Sequence, residues 1–273
     1  MPRFGGVFHA CEPARGNRIT RPELANGREI VDTATRHATS VQQPGSAHRC
    51  PKAGTGDRKG SDQGMNDVAQ RAPAGTVPYF SQWESPDRAE EILAGTFALS
   101  DDPNWARSGA ADKAEYARWA DHVCGMACLK MVLAARTGRE HPILELARGV
   151  TGHGGYVVED EAIRGLIYAP FVAYLRAAFG LTAQIVTGIS AQGIPGVLRA
   201  APYFIASVHP SIRRPDSDPP TRGGHLVLVW GQGDGTLTFH NPSGHDPASR
   251  EAVTLPITTF DRFFAGRGIA ILR

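Results

Sequence analysis

The hydrophobic period of this chain changes once, near Gly180, and that change limits what it can fold into. From about residue 83 to Gly180 the apolar residues recur at helical spacing; after it they fall in short β-rich runs. The strongest helical pattern spans about Val123 to Thr137. Ala127, Cys128, Met131, Val132 and Ala135 share one face, Leu129 and Leu133 widen it, and Gly138 suits the C′ position. Shorter helices are predicted at Pro86–Leu93, Asp112–Ala120, Ile143–Arg148 and Phe171–Phe179, with Gly180 closing the last. EDEAIRGLIY is expected to add a helical turn. Beyond Gly180, AQIVTG, YFIASV, HLVLVW, TLTFH and GIAILR read as strands. Ser190 is placed to cap a helix at Ala191–Ala200, and TFDRFF forms a helical turn. Helices first and an antiparallel sheet afterwards is an α+β order.

Residues 1–75 stand apart. They are rich in Gly, Pro, Arg, Thr, Ser and Gln and hold no regular hydrophobic period. Such a stretch buries too little apolar surface to offset its ordering entropy. They are expected to be a disordered arm or an extension upstream of the true start, with Met65 as that start. The folded domain is then 76–273, entered through TVPYFSQ as a short strand or extended arm. Residues 83–118 form a helical insertion. The loop HPSIRRPDSDPPTRGG, between two strands, is long enough to suggest function.

Composition serves mainly to exclude. A net charge of +2 over 273 residues argues for neither nucleic acid nor an anionic membrane as partner. No apolar run approaches the roughly 18 residues of a membrane span, and the first residues lack a signal peptide's apolar core. A cytoplasmic location is expected; oligomeric state is left open. Cys11, Cys50, Cys124 and Cys128 do not form a disulfide framework.

Cys124 opens the strongest helix, where a thiolate is stabilised by the helix N-terminus. Gly125 beside it permits close approach. The bland reading is a buried free cysteine, as Cys128 is taken to be. His225 begins HLVLVW after two glycines; by itself it is a polar strand end. Asn241 ends TLTFHN; Asn-Pro is also a common turn dipeptide. Together they supply a nucleophile, a base and an orienting amide. His153 in TGHGGY is a further candidate for the cleft, and His122 is expected to point away. His240 and His245 flank Asn241, and Trp83 and Trp230 are read as packing residues.

Four segments, VPYFSQ (77–82), CGMACLKMVL (124–133), GHLVLV (224–229) and HNP (240–242), resemble the C39-like peptidases of the papain-like superfamily. The resemblance covers about residues 76–273. It implies a papain-like α+β fold and a cysteine hydrolase cleaving a peptide or amide bond. Cys124 is then nucleophile, His225 base, Asn241 orienting residue and Gln82 oxyanion donor. It calls for no cofactor and no metal, and for a peptide or amide substrate. The chain departs from the pattern in two places: Val123 stands where Asp is frequent, and Gln82 lies about 40 residues before Cys124. These departures motivate an alternative, an inactive peptide-binding module on the same fold. A second alternative is a metal site built from Cys124, Cys128 and two histidines.

A chain starting at Met65 is expected to melt at the same temperature as the full chain. A midpoint lower by several degrees would mean that the residues before Met65 pack on the domain.

Overall fold

In the computed structural model of the chain, residues 76–160 and 162–272 are described. The expectation for residues 1–75, Met65 included, falls outside them. Residues 76–81 belong to no helix or strand, so the entry segment is an arm. It is tied down along its length. His240 Nε2 donates to the Val77 carbonyl at 2.8 Å, and Ser81 Oγ and the Gln82 amide both donate to the Pro242 carbonyl at 3.0 Å.

The excursion after the arm contains α1 (Ala89–Leu93) and α2 (Lys113–Trp119), joined by 3-10 turns at Leu99–Asp101 and Trp105–Ser108. Asp112 caps α2 by accepting from the Glu115 amide at 2.8 Å. Trp83, Ala89, Tyr116 and Ala120 form a small core of their own. At its centre Asp102 is fully buried. It accepts from the Ser85 amide (3.1 Å), Ser85 Oγ (2.6 Å), the Asn104 amide (2.8 Å) and the Tyr116 hydroxyl (2.7 Å).

A 3-10 turn at Ala120–His122 leads into α3 (Cys124–Thr137), closed by Gly138 at φ +71°. The apolar stripe predicts one buried face, yet every residue from Gly125 to Ala134 is buried. The sheet packs on one side, and α4 (Ile143–Gly152) and the arm cover much of the rest. Lys130 survives this by holding its ammonium over the Phe80 ring at 4.4 Å. The α4 helix runs four residues past the predicted Arg148.

EDEAIRGLIY is a correction. It forms most of a hairpin, β1 (Tyr156–Glu159) with β2 (Ala162–Gly165), and not a helical turn. Glu159 pairs with Ala162 across a two-residue turn that begins with Asp160 at φ +46°. Asp tolerates that region, which two-residue hairpin turns require. Then comes α5 (Tyr168–Phe179), ended by Gly180 at φ +64°.

The main sheet is formed by β3 (Ala183–Thr187), β4 (Tyr203–Val208), β5 (His225–Gly233), β6 (Thr236–His240), β7 (Val253–Pro256) and β8 (Phe264–Ile271). Its order is β3-β8-β4-β5-β6-β7 and every pairing is antiparallel. The last strand therefore lies between β3 and β4. Both faces are buried, as period-two alternation allows. Ile205, Leu226, Leu228, Ile269 and Ile271 join the core under α3, α4 and α5. Phe204, Ala206, Val208, Val227, Val229 and Phe239 join a second core. It is covered by α6 (Ile194–Ala200) and α8 (Ile257–Phe263). A short α7 (Pro247–Arg250) precedes β7; neither was expected from the sequence. Ser190 makes no cap bond; the Ala191 amide donates instead to Asp261 Oδ1 at 2.7 Å. The α+β class and the antiparallel sheet are as the sequence implied. No helix among the described residues is long and apolar enough to cross a membrane.

Replacing Asp102 by Ala orphans donors in a buried site, each worth about 1–3 kcal/mol when unpaired. The expected loss is roughly 3 kcal/mol, read as the urea-unfolding free energy. A loss below about 1 kcal/mol would mean that the excursion does not depend on this carboxylate.

Candidate active site

Cys124, His225 and Leu226 line one cleft of about 330 Å³ with His122, Gly125, Tyr156, Leu166, Tyr168, Ser207 and Arg267. The cleft lies where the first turn of α3 meets the start of β5. Gly125 permits that meeting. A Cβ there would lie 2.8 Å from Leu166 Cδ2 and 3.0 Å from Leu226 Cδ1. One turn along, the Cys128 thiol is buried and donates to the Leu226 carbonyl at 3.7 Å.

His225 is held from behind. Its Nε2 lies 2.8 Å from Asn241 Oδ1 and 3.0 Å from Ser243 Oγ. Asn241 Oδ1 also accepts from the Ser243 amide at 3.2 Å, which fixes it as the oxygen end of the side chain. Nε2 therefore carries the hydrogen, and Nδ1 keeps the lone pair. Arg213 donates through Nη2 to Ser243 Oγ at 2.7 Å. Its Nε, like Asn241 Nδ2, is buried without a partner among the described residues. Arg213 sits in the 3-10 turn Pro210–Arg213, within the long Pro-rich loop. That loop thus reaches the imidazole through Ser243.

Burial sets the titration of both groups. It holds His225 down to about 4, with the Asn241 hydrogen bond opposing and the Arg213 charge assisting. It pushes the Cys124 thiol up, while the Leu226, Gly125 and Cys124 backbone groups pull it back. The expectation of a lowered thiol pKa at the helix start is therefore reversed. Both shifts favour the uncharged forms, a thiol and an imidazole.

Gln82 is buried. It bridges two segments, its amide on Pro242 and its Nε2 on the Ala120 carbonyl at 3.2 Å. It is not among the cleft-lining residues, and its Oε1 has no partner. The excursion thus leaves from the segment that carries Asn241 and returns to the one that precedes Cys124. His122 is exposed and is one of the cleft-lining residues. Its carbonyl accepts from the Tyr156 hydroxyl at 3.1 Å. His153 does not line the cleft; its Nδ1 lies 3.0 Å from the Gly149 carbonyl. His240 holds the arm, and His245 binds Ser249 Oγ at 3.0 Å. Trp83 donates to Asp121 at 2.9 Å, and the Trp230 ring lies tilted against His240 with centroids 5.5 Å apart. Among the described residues no three His, Cys, Asp or Glu side chains converge as a metal site would need.

Ser243 and Arg213 escaped the sequence reading. Ser243 was within reach of it, since it lies two residues past Asn241 in HNPSG. Arg213 was not, because only folding brings its loop to Ser243.

No protein-family model matches the chain, and no curated protein matches it. Two similar solved structures carry peptidase descriptions. One is the peptidase domain of Streptococcus ComA, a bi-functional ABC transporter involved in a quorum-sensing pathway. It is 17% identical with a TM-score of 0.40, over 55% of this chain and 90% of that one. The other is described as a C39-like peptidase from Bacillus anthracis. It is 16% identical with a TM-score of 0.40, over 56% of this chain and 90% of that one.

Folded His225 titrates near 4, and a free imidazole near 6.5. Between these values the unfolded chain binds a proton that the folded chain refuses, so stability falls as pH falls through this window. From pH 7 to 4.5 the wild type should lose roughly 2–3 kcal/mol more than His225→Gln. Denaturant titrations at both pH values measure this. Parallel losses would mean that His225 is not held neutral.

Proposed function

We propose that this chain is a cysteine hydrolase acting on a peptide or amide bond, with Cys124 as nucleophile, His225 as base and Asn241 as orienting residue. The observation that carries the reading is the 2.8 Å contact between His225 Nε2 and Asn241 Oδ1. It turns the Nδ1 lone pair of a cleft-lining imidazole toward use as a base, in a cleft also lined by Cys124. With both groups neutral at rest, Nδ1 takes the thiol proton as sulfur attacks the carbonyl carbon. The imidazolium then gives that proton to the leaving amine. Water, deprotonated by the same nitrogen, attacks the thioester, releasing the acid and restoring the thiol. A second amine in place of water would make the reaction an acyl transfer.

The oxyanion formed on attack needs about two donors. The Cys124 backbone amide is one, since it begins a helix and has no intrahelical partner. Gln82 is the second in this reading. One Nε2 hydrogen is used on Ala120, which leaves the other for the substrate.

The raised thiol pKa favours a second reading, a peptide-binding module without turnover. Alkylation of Cys124 by iodoacetamide across pH separates the two. Acceleration that depends on His225 supports the hydrolase; a thiol that behaves the same in His225→Ala supports the binding module.

Cys124→Ala should abolish cleavage of amide substrates with the fold retained. Asn241→Ala should be milder, because it orients the base and takes no proton. Gln82→Ala should lower kcat by roughly 10²–10³ with KM little changed, the size of one lost oxyanion donor. If the folded fraction of Gln82→Ala turns over normally, Gln82 only bridges Pro242 and Ala120. If Cys128→Ala loses activity and Cys124→Ala keeps it, the nucleophile is the other sulfur.

A further inference from the structure

Among the described residues that line the cleft, none is acidic, and Arg267 is the sole arginine or lysine. Among the described residues Arg267 is exposed and joins no ion pair. Tyr168 and Ser207 line the same cleft. The three adjoin: Ser207 and Arg267 both offset the burial that raises the Tyr168 hydroxyl pKa.

The fold is distorted to present this group. Along the β4–β8 ladder Ala206 pairs with Gly268, but Val208 pairs with Phe264. Ala265, Gly266 and Arg267 therefore stand opposite the single residue Ser207, a bulge of the kind that re-aims side chains. Gly223, at φ +89°, closes over it. A Cβ there would lie 3.2 Å from Ser207 Oγ, 3.2 Å from Ala265 Cβ and 3.6 Å from Arg267 Nη2. Gly223, two residues before His225, thus lets that loop lie on the bulge that carries Arg267.

We propose that Tyr168, Ser207 and Arg267 form a carboxylate-binding subsite that selects substrates with a negative charge beside the bond attacked by Cys124. This deepens the hydrolase reading and rests on it for the word substrate; the subsite itself does not. A guanidinium with two hydroxyls beside it offers several donors to one carboxylate. No acid among the described lining residues competes for them. The carboxylate is either an Asp or Glu side chain or a peptide's free C-terminus.

Two alkylating agents of similar size test the subsite without any turnover. Iodoacetate carries the carboxylate and iodoacetamide does not. Their rates at Cys124 are followed on the full chain by mass spectrometry of the Cys124 peptide, at low ionic strength. The iodoacetate-to-iodoacetamide ratio should fall about fivefold in Arg267→Gln, the size of one partly exposed ion pair, and further in Arg267→Glu. Raising the salt should shrink the wild-type ratio toward that of Arg267→Gln. A ratio unmoved by either variant overturns the subsite, whether or not peptides are cleaved. A Cys124 that reacts with neither reagent overturns the subsite and the hydrolase reading together. Peptide cleavage then distinguishes the sources. Preference for internal Asp or Glu names the side chain; preference for free acids over C-terminal amides names the terminus. A ratio that falls as expected, with no peptide cleaved, keeps the subsite and removes the hydrolase.

Discussion

The site depends on one close approach, the first turn of α3 against the start of β5. Gly125 has no Cβ, so Leu226 and Leu166 can press against the helix backbone. Leu226 then serves α3 twice. Its carbonyl accepts from the Cys128 thiol, and its backbone lies close enough to the Cys124 sulfur to oppose the effect of burial. Because Leu226 follows His225 directly, docking Leu226 on α3 also delivers the imidazole to the mouth of the cleft. A Cβ at position 125 would meet the Cδ atoms of Leu166 and Leu226, and those side chains would have to shift to admit it.

That close packing also explains why the helix start fails to make a thiolate. A helix N-terminus stabilises a negative charge by about 0.3–1 kcal/mol, rarely by 2. Full desolvation of an ionisable group moves its pKa by as much as 3–5 units, and at half-buried Cys124 the net direction is still upward. Burial therefore wins at Cys124, and it wins at His225 in the opposite chemical direction. The two effects point to one resting state, with neither group charged. Arg213 reinforces it, since a cation near the imidazole disfavours a second positive charge. The network Arg213–Ser243–His225–Asn241 thus orients the ring and keeps it in its neutral, basic form.

Much of this was legible in the sequence, for identifiable reasons. The helix-then-sheet order follows from hydrophobic period, and helix ends at Gly138 and Gly180 follow from the left-handed backbone that glycine accepts. Cys124, His225 and Asn241 sit at element ends, where period and punctuation mark them. The hairpin at Tyr156–Gly165 escaped because its strands are only four residues each and β1 alone carries two exposed valines, Val157 and Val158. Arg213 and Arg267 escaped for a different reason. One depends on how a long loop folds back, the other on a bulge in strand register, and neither leaves a local trace. Gln82 shows the same limit. Its spacing from Cys124 says nothing of where hydrogen bonds place it.

The arm and the Asn-Pro turn show that a structural and a functional reading of one residue need not compete. Asn241 stands at a turn, as Asn-Pro usually does, and the turn is what immobilises it. Its amide donates to the Arg250 carbonyl at 2.8 Å, and its carbonyl accepts from the Gly244 amide at 3.1 Å. Pro242 has no amide hydrogen but offers a carbonyl, and the arm takes it twice, through Ser81 and Gln82. The same Gln82 ties the arm to Ala120, just ahead of Cys124. Both ends of the excursion are therefore fixed beside the site. Lengthening a loop from about 4 to about 40 residues between fixed ends costs only about 2 kcal/mol. The small core around Tyr116 and the buried Asp102 network are enough to offset that. An insertion of this size is thus tolerated, because its two ends are anchored, at Pro242 through Gln82 and at Ala120 ahead of Cys124.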